Sequence, residues 1–138
     1  MRQMLLGVAL LTALPGAALA WRAQNGHQVH DLGQGVFEVV GRAGSGAQDY
    51  WCGAGDYARS VLGVAAAQRI FLWAPVGPSA SSAGKRAVQF ALTAPKGADT
   101  TPGLSLSVKR VGDNLSASMA QQYCYGGKFD SFPWSMRP

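Results

Sequence analysis

Acidic side chains are the scarcest chemistry in this sequence. Only 7 Asp and Glu stand among 138 residues, and Glu38 is the single glutamate. Glycoside hydrolysis needs two facing carboxyl groups, and few pairs are on offer. Asp49 and Asp56 sit two turns apart on the outer face of a predicted helix, where solvation accounts for both, with Asp56 pairing Arg59. Histidine is as rare. His27 and His30, in His27-x-x-His30-Asp31, are the only two and the only natural general bases near neutral pH. On a strand, residues three apart face opposite sides. The spacing therefore points to no metal site, and no cofactor motif is present.

Nucleophile motifs are missing too. Serine is common, but none sits in a Gly-x-Ser-x-Gly elbow. Gly44-Ser45-Gly46 is the nearest approach, and capping of the following helix accounts for Ser45. Basic runs are short as well. Lys85-Arg86 and Lys109-Arg110 are the longest, which gives no stripe for nucleic acid. The net charge of +5 is a mild bias toward anionic partners.

Long apolar runs are absent after the first fourteen residues, so no transmembrane segment is expected in the mature chain. The early run reads differently. Arg2 supplies a positive start, Met4 to Leu14 an apolar stretch, and Ala18-Leu19-Ala20 a small-x-small cleavage site. We read residues 1–20 as a signal peptide and 21–138 as one mature domain, periplasmic or secreted. Both cysteines, Cys52 and Cys124, lie in the mature part. In an oxidising compartment two cysteines most simply form one disulfide.

What the sequence does have is glycine, 18 residues of it, clustered in turns. Val29 to Leu32 and Val36 to Val40 read as a hairpin around Gly33-Gln34-Gly35. The period then changes. Ala47, Tyr50, Trp51, Ala54, Tyr57, Ala58, Val61 and Leu62 recur at steps of three and four, one helical face over about 46–62. Ser45 and Gln48 read as its capping box. Val61 and Leu62 are expected in the core, Asp49 and Asp56 outside, and Cys52 at the edge of the polar face. Gly53 and Gly55, within one turn, imply close approach of another backbone. Strands are expected at 69–74, 86–92 and 104–109, with a mobile Ser/Ala/Gly loop at 78–84. A short second helix is expected near 116–125, carrying Cys124. The order predicts an α+β fold: a small antiparallel sheet, one amphipathic helix packed on it, a second short helix, and one disulfide.

Gly41-Arg42-Ala43-Gly44-Ser45-Gly46 links a strand to a helix N-terminus, a context that can bind anions. Its spacing reverses the dinucleotide fingerprint, and a plain connection explains it as well. The C-terminal tail, about 126–138, crowds Phe129, Phe132 and Trp134 beside Lys128 and Arg137. Aromatic and cationic groups together favour recognition surfaces. These five residues are the expected binding patch. The expected function is an exported, cystine-tied, non-catalytic module that binds an envelope protein, glycan or anionic surface, as inhibitor or accessory factor. The alternative is a small secreted hydrolase using His27 or His30.

Overall fold

The structure, a computed structural model, describes residues 20–125. Residues 1–19, nearly all of the stretch 1–20 read as a signal peptide, and the tail with Phe129, Phe132, Trp134, Lys128 and Arg137 lie outside the described residues. Six strands form one antiparallel sheet: β1 (Trp21–Arg22), β2 (Gln28–Gly33), β3 (Val36–Val40), β4 (Arg69–Pro78), β5 (Arg86–Ala91) and β6 (Asn114–Ser116). Their order across the sheet is β1-β2-β3-β5-β4-β6. Helix α1 (Ala47–Ser60) and short α2 (Ala117–Gln122) complete an α+β fold.

Alternation along the strands sorts the two faces. Val29, Phe37, Val39, Val88, Phe90, Ile70 and Leu72 point under α1 and form the core with Tyr50, Trp51, Ala54 and Tyr57. Aromatic rings lock the contact. Trp51 stacks edge-on to Phe90 and Phe37 tilts against Tyr57, each pair with centroids 4.8 Å apart. Both helical glycines sit at close contacts, but only Gly55 meets the expected backbone, while Gly53 meets a side chain. A Cβ on Gly53 would lie 2.6 Å from a Val39 methyl, and one on Gly55 would overlap the backbone of α2 at Ala120–Gln121. Cys52 and Cys124 form the disulfide, with Cα atoms 4.8 Å apart. It joins α1 to the turn just past α2, since α2 ends at Gln122 and does not carry Cys124.

Several expectations fail on local detail. The helix ends at Ser60, so Val61 and Leu62 lie outside it and are exposed. Cys52 is fully buried rather than at a polar edge. Asp56, expected in solvent with Arg59, is buried and accepts four hydrogen bonds, from the Gln24 N–H and the side chains of Gln24, Ser60 and Gln121. Arg59 instead donates to the Val64 carbonyl. Periodicity located the buried face of α1, but α2 and the β1–β2 turn cover its polar side as well.

The alternating stretch 104–109 forms no strand. Bulges break the β4–β5 pairing between Leu72, Ala74 and Gly77. The stretch is held at isolated points. Trp51 Nε1 donates to the Ser107 carbonyl at 2.9 Å, and the Val76 N–H to Val108 at 3.0 Å. Those same bulges let β4 run through Pro75, where a ladder donor is missing.

The second face of the sheet carries a polar row. His30, Glu38 and Gln89 are cross-strand neighbours on β2, β3 and β5. Glu38 is fully buried there. The loop after β4 closes over it, so this loop is pinned rather than free.

Candidate functional site

The end of the sheet where β3 stops and β5 begins gathers four positive side chains. Gly41 extends the β3–β5 ladder by donating to the Arg86 carbonyl at 2.8 Å. The chain then turns through residues 42–46 into α1. Two adjoining clefts open at this turn. The larger, about 600 Å³, is lined by Gly41 to Ser45, Tyr50, Val76, Gly84, Lys85 and Arg86. The smaller, about 190 Å³, is lined by Arg22, Gly26, Gln28, Val40, Gly41, Arg42 and Lys85. They share Gly41, Arg42 and Lys85 and so adjoin; we call the pair the trough. Gly41 is required because a Cβ would overlap the Tyr50 phenol, which reaches the trough from α1.

Arg22, Arg42, Lys85 and Arg86 all line this trough, and no carboxylate does. Among the described residues none of the four is in an ion pair; the two ion pairs there belong to Arg110, with Asp99 and Asp113. Arg42 is oriented by a hydrogen bond from its guanidinium to the Asn25 carbonyl at 2.6 Å. Asp49, the nearest acid in the loop–helix junction, turns back to accept the Gly46 N–H at 2.8 Å. It therefore caps α1, with Gly46 as N-cap, and the expected Ser45–Gln48 box is not formed.

Ser45 has a different task. Its hydroxyl oxygen accepts the Arg42 N–H at 2.9 Å and lies 2.7 Å from His27 Nε2. His27 is only 4% exposed, and its Nδ1 is buried without a hydrogen-bond partner among the described residues. Burial, with help from the Arg42 charge, pushes the imidazole below its ordinary value, so the ring is neutral at neutral pH. Burial raises the Tyr50 phenol against the opposing pull of Arg86. A serine beside a histidine matches the first two members of a nucleophile relay, but among the described residues no third group orients Nδ1.

The two histidines are not brought together. His27 precedes β2 and faces the Ser45 turn, whereas His30 lies on the second sheet face opposite Glu38. Its Nε2 is also buried and unpartnered among the described residues. Glu38 is fully satisfied. Its carboxylate accepts the Ser79 hydroxyl at 2.6 Å, the Ala80 and Ser81 N–H groups at 3.0 and 2.9 Å, and the Ser81 hydroxyl. Burial pushes this carboxyl up, but the serine hydroxyls and backbone donors outweigh that and hold it below the ordinary carboxylate value. Among the described residues, no group of three His, Cys, Asp or Glu is placed to hold a metal.

Sequence reasoning noticed the 41–46 loop and the Lys85-Arg86 pair, but not that they meet. Only the antiparallel pairing of β3 with β5 joins them, and the β1–β2 register adds Arg22. No protein-family model matches this chain, and no curated protein or solved structure does.

Proposed function

We propose that the protein is an exported, non-catalytic module that binds an anionic polymer or surface of the cell envelope through the Arg22–Arg42–Lys85–Arg86 trough. The observation that carries this reading is the grouping of four cations, without a paired carboxylate among the described residues, along two adjoining clefts. An extended trough fits a chain of charges better than a single small anion, because each cation can meet a separate anionic group. The helix end beside it adds the positive pole of the α1 dipole. Oxidised Cys52 and Cys124 fit an oxidising compartment. No helix among the described residues is long and apolar enough to cross a membrane. Phe129, Phe132 and Trp134, with Lys128 and Arg137, remain the proposed aromatic complement to this contact, and deletion of 127–138 measures their share.

The test is retention on an immobilised sulfated polysaccharide. The purified protein should bind at low salt and elute as salt rises, with log affinity falling linearly in log salt, as for other polyanion contacts. Arg42→Glu with Lys85→Glu should abolish retention while the melting temperature holds. Retention unchanged in that variant would refute the trough as the contact.

A second reading, a small hydrolase, is favoured by one observation, the 2.7 Å Ser45–His27 contact. The unpartnered Nδ1 weighs against it, because a base without an orienting partner is poorly held for proton transfer. Stoichiometric labelling of Ser45 by a fluorophosphonate would support the hydrolase.

A further inference from the structure

His27 lies beneath the trough rather than in it, and the proton arrangement around Ser45 gives it a role. The Ser45 oxygen already accepts one hydrogen, from the Arg42 N–H. Two arrangements then remain for the 2.7 Å contact with His27. If Ser45 donated to Nε2, the imidazole proton would sit on Nδ1, a buried position with no acceptor among the described residues. An orphaned buried N–H is the costlier defect. If Nε2 carries the proton and donates to Ser45, only a lone pair at Nδ1 is left over. That arrangement fills both acceptor positions of Ser45 and turns its own O–H toward the cleft that Ser45 lines. Ser45 is then a neutral donor set among the cations.

We propose that His27 and Ser45 form a proton-linked anion receptor: an anionic group docked against Ser45 and Arg42 draws a proton onto His27, so binding tightens as pH falls. The inference rests on the trough reading above. The groups facing the ring are Arg42 from the loop and Asp49 and Tyr50 from α1, with the Tyr50 ring centroid 6.3 Å away. Without a ligand, burial and Arg42 oppose the imidazolium more than Asp49 supports it. An anion on Arg42 and Ser45 cancels the main repulsive charge. The proton goes to Nδ1, where it leaves a buried N–H without an acceptor among the described residues, a cost that the ligand's charge must offset; Nε2 keeps its hydrogen bond to Ser45, so the Ser45 donor stays aimed at the ligand in both states. By linkage, whatever factor the anion adds to proton affinity, the proton adds to anion affinity. A coupling of this kind is typically about fivefold or more.

The probe is a heparin tetrasaccharide, whose charge is constant over the range concerned. The titration of the His27 ring is followed by NMR with and without it, together with the amide signals of residues 43–46. The expected result is a shift of those amides on binding, a higher titration midpoint for His27 in the complex, and affinity that rises about fivefold or more from pH 7.5 to pH 5. His27→Gln, which keeps an amide donor but cannot titrate there, should bind with a flatter pH profile. If the amides shift while the His27 midpoint stays put, the proton link is refuted and the trough reading stands. If no amide in 43–46 shifts at any pH, the trough reading fails and takes the proton link with it. If protonation of His27 instead disorders the 23–27 turn and weakens binding, the link has the wrong sign and is overturned.

Discussion

Glu38 and His27 are both buried ionisable side chains held by serines, yet they are built in opposite ways. The Glu38 carboxylate meets two hydroxyls and two backbone N–H groups from one loop, with each oxygen engaged. The His27 ring meets one hydroxyl and leaves a nitrogen bare. The surroundings differ in the same sense. Glu38 faces a loop that supplies only neutral donors, whereas His27 sits behind a trough of cations that make no ion pair among the described residues. A fully satisfied buried charge is a structural fastener, because any change of state breaks bonds without making others. A buried group with one vacant valence, next to open charged surface, has a second state within reach. Burial alone does not separate structure from function here; the completeness of the hydrogen bonding does.

The largest effect should come from unfastening the satisfied group. Glu38→Ala strands the donors of Ser79, Ala80 and Ser81 and should cost about 2–4 kcal/mol in chemical denaturation. Asp56→Ala should cost about 2–3 kcal/mol, since Asp56 joins the β1–β2 turn to α1 and α2 through four hydrogen bonds. A loss under about half a kcal/mol at Glu38 would mean that its serine cage is incidental, and the comparison would collapse.

His27 should show a smaller effect at a different pH. Its folded-state value lies below the ordinary 6.5, so the unfolded chain binds the proton more readily. Its contribution to stability is therefore full above about pH 6.5 and is lost as pH falls below it. Glu38 is also lowered, from 4.5, so its contribution is full above that value and is lost only in more acid solution. Thermal melts against pH should show two separate declines. His27→Gln should remove the upper one at a cost of about 1 kcal/mol at neutral pH, and a saturating polyanion should shallow it in the wild type. A single decline near pH 4 would show that His27 has no titration coupled to folding.

The sequence disclosed the parts of this molecule that depend on local order. The β2–β3 hairpin, the Trp51/Tyr57 face of α1 and the close approach at Gly55 follow from spacing within one segment, and the pairing of Cys52 with Cys124, though 72 residues apart, from there being only two cysteines. What it hid depends on pairing between distant segments. Asp56 reads as a solvated residue until α2 and Gln24 close over it. Glu38 reads as a stray charge in a strand until residues 79–81 fold back across the sheet. Leu62 continues the apolar period of α1, but the helix stops two residues earlier and the side chain is left in solvent. Leu62→Ala should accordingly cost about half a kcal/mol or less, far less than Asp56→Ala. The trough is hidden for the same reason: its cations come from residues 22, 42, 85 and 86, joined only by the strand order β1-β2-β3-β5.

The smallest effect on stability should accompany the largest effect on binding. Lys85 and Arg86 are exposed and in no ion pair among the described residues, so replacing either with Ala removes solvated charge and little packing. Each variant should stay within about half a kcal/mol of the wild type. Each should also lower the slope of log affinity against log salt by about one, the signature of one lost contact to an anionic group. Arg42→Ala should reduce binding further than Arg86→Ala, because Arg42 lines both clefts and its guanidinium is held in place by the Asn25 carbonyl. Lys96, which lines neither cleft, is the control: Lys96→Ala changes the net charge equally and should leave the slope alone. If Lys96→Ala and Lys85→Ala reduce binding alike, the attraction belongs to the net charge of the molecule. The contrast between a fastened carboxylate and a poised imidazole would then have no bearing on recognition.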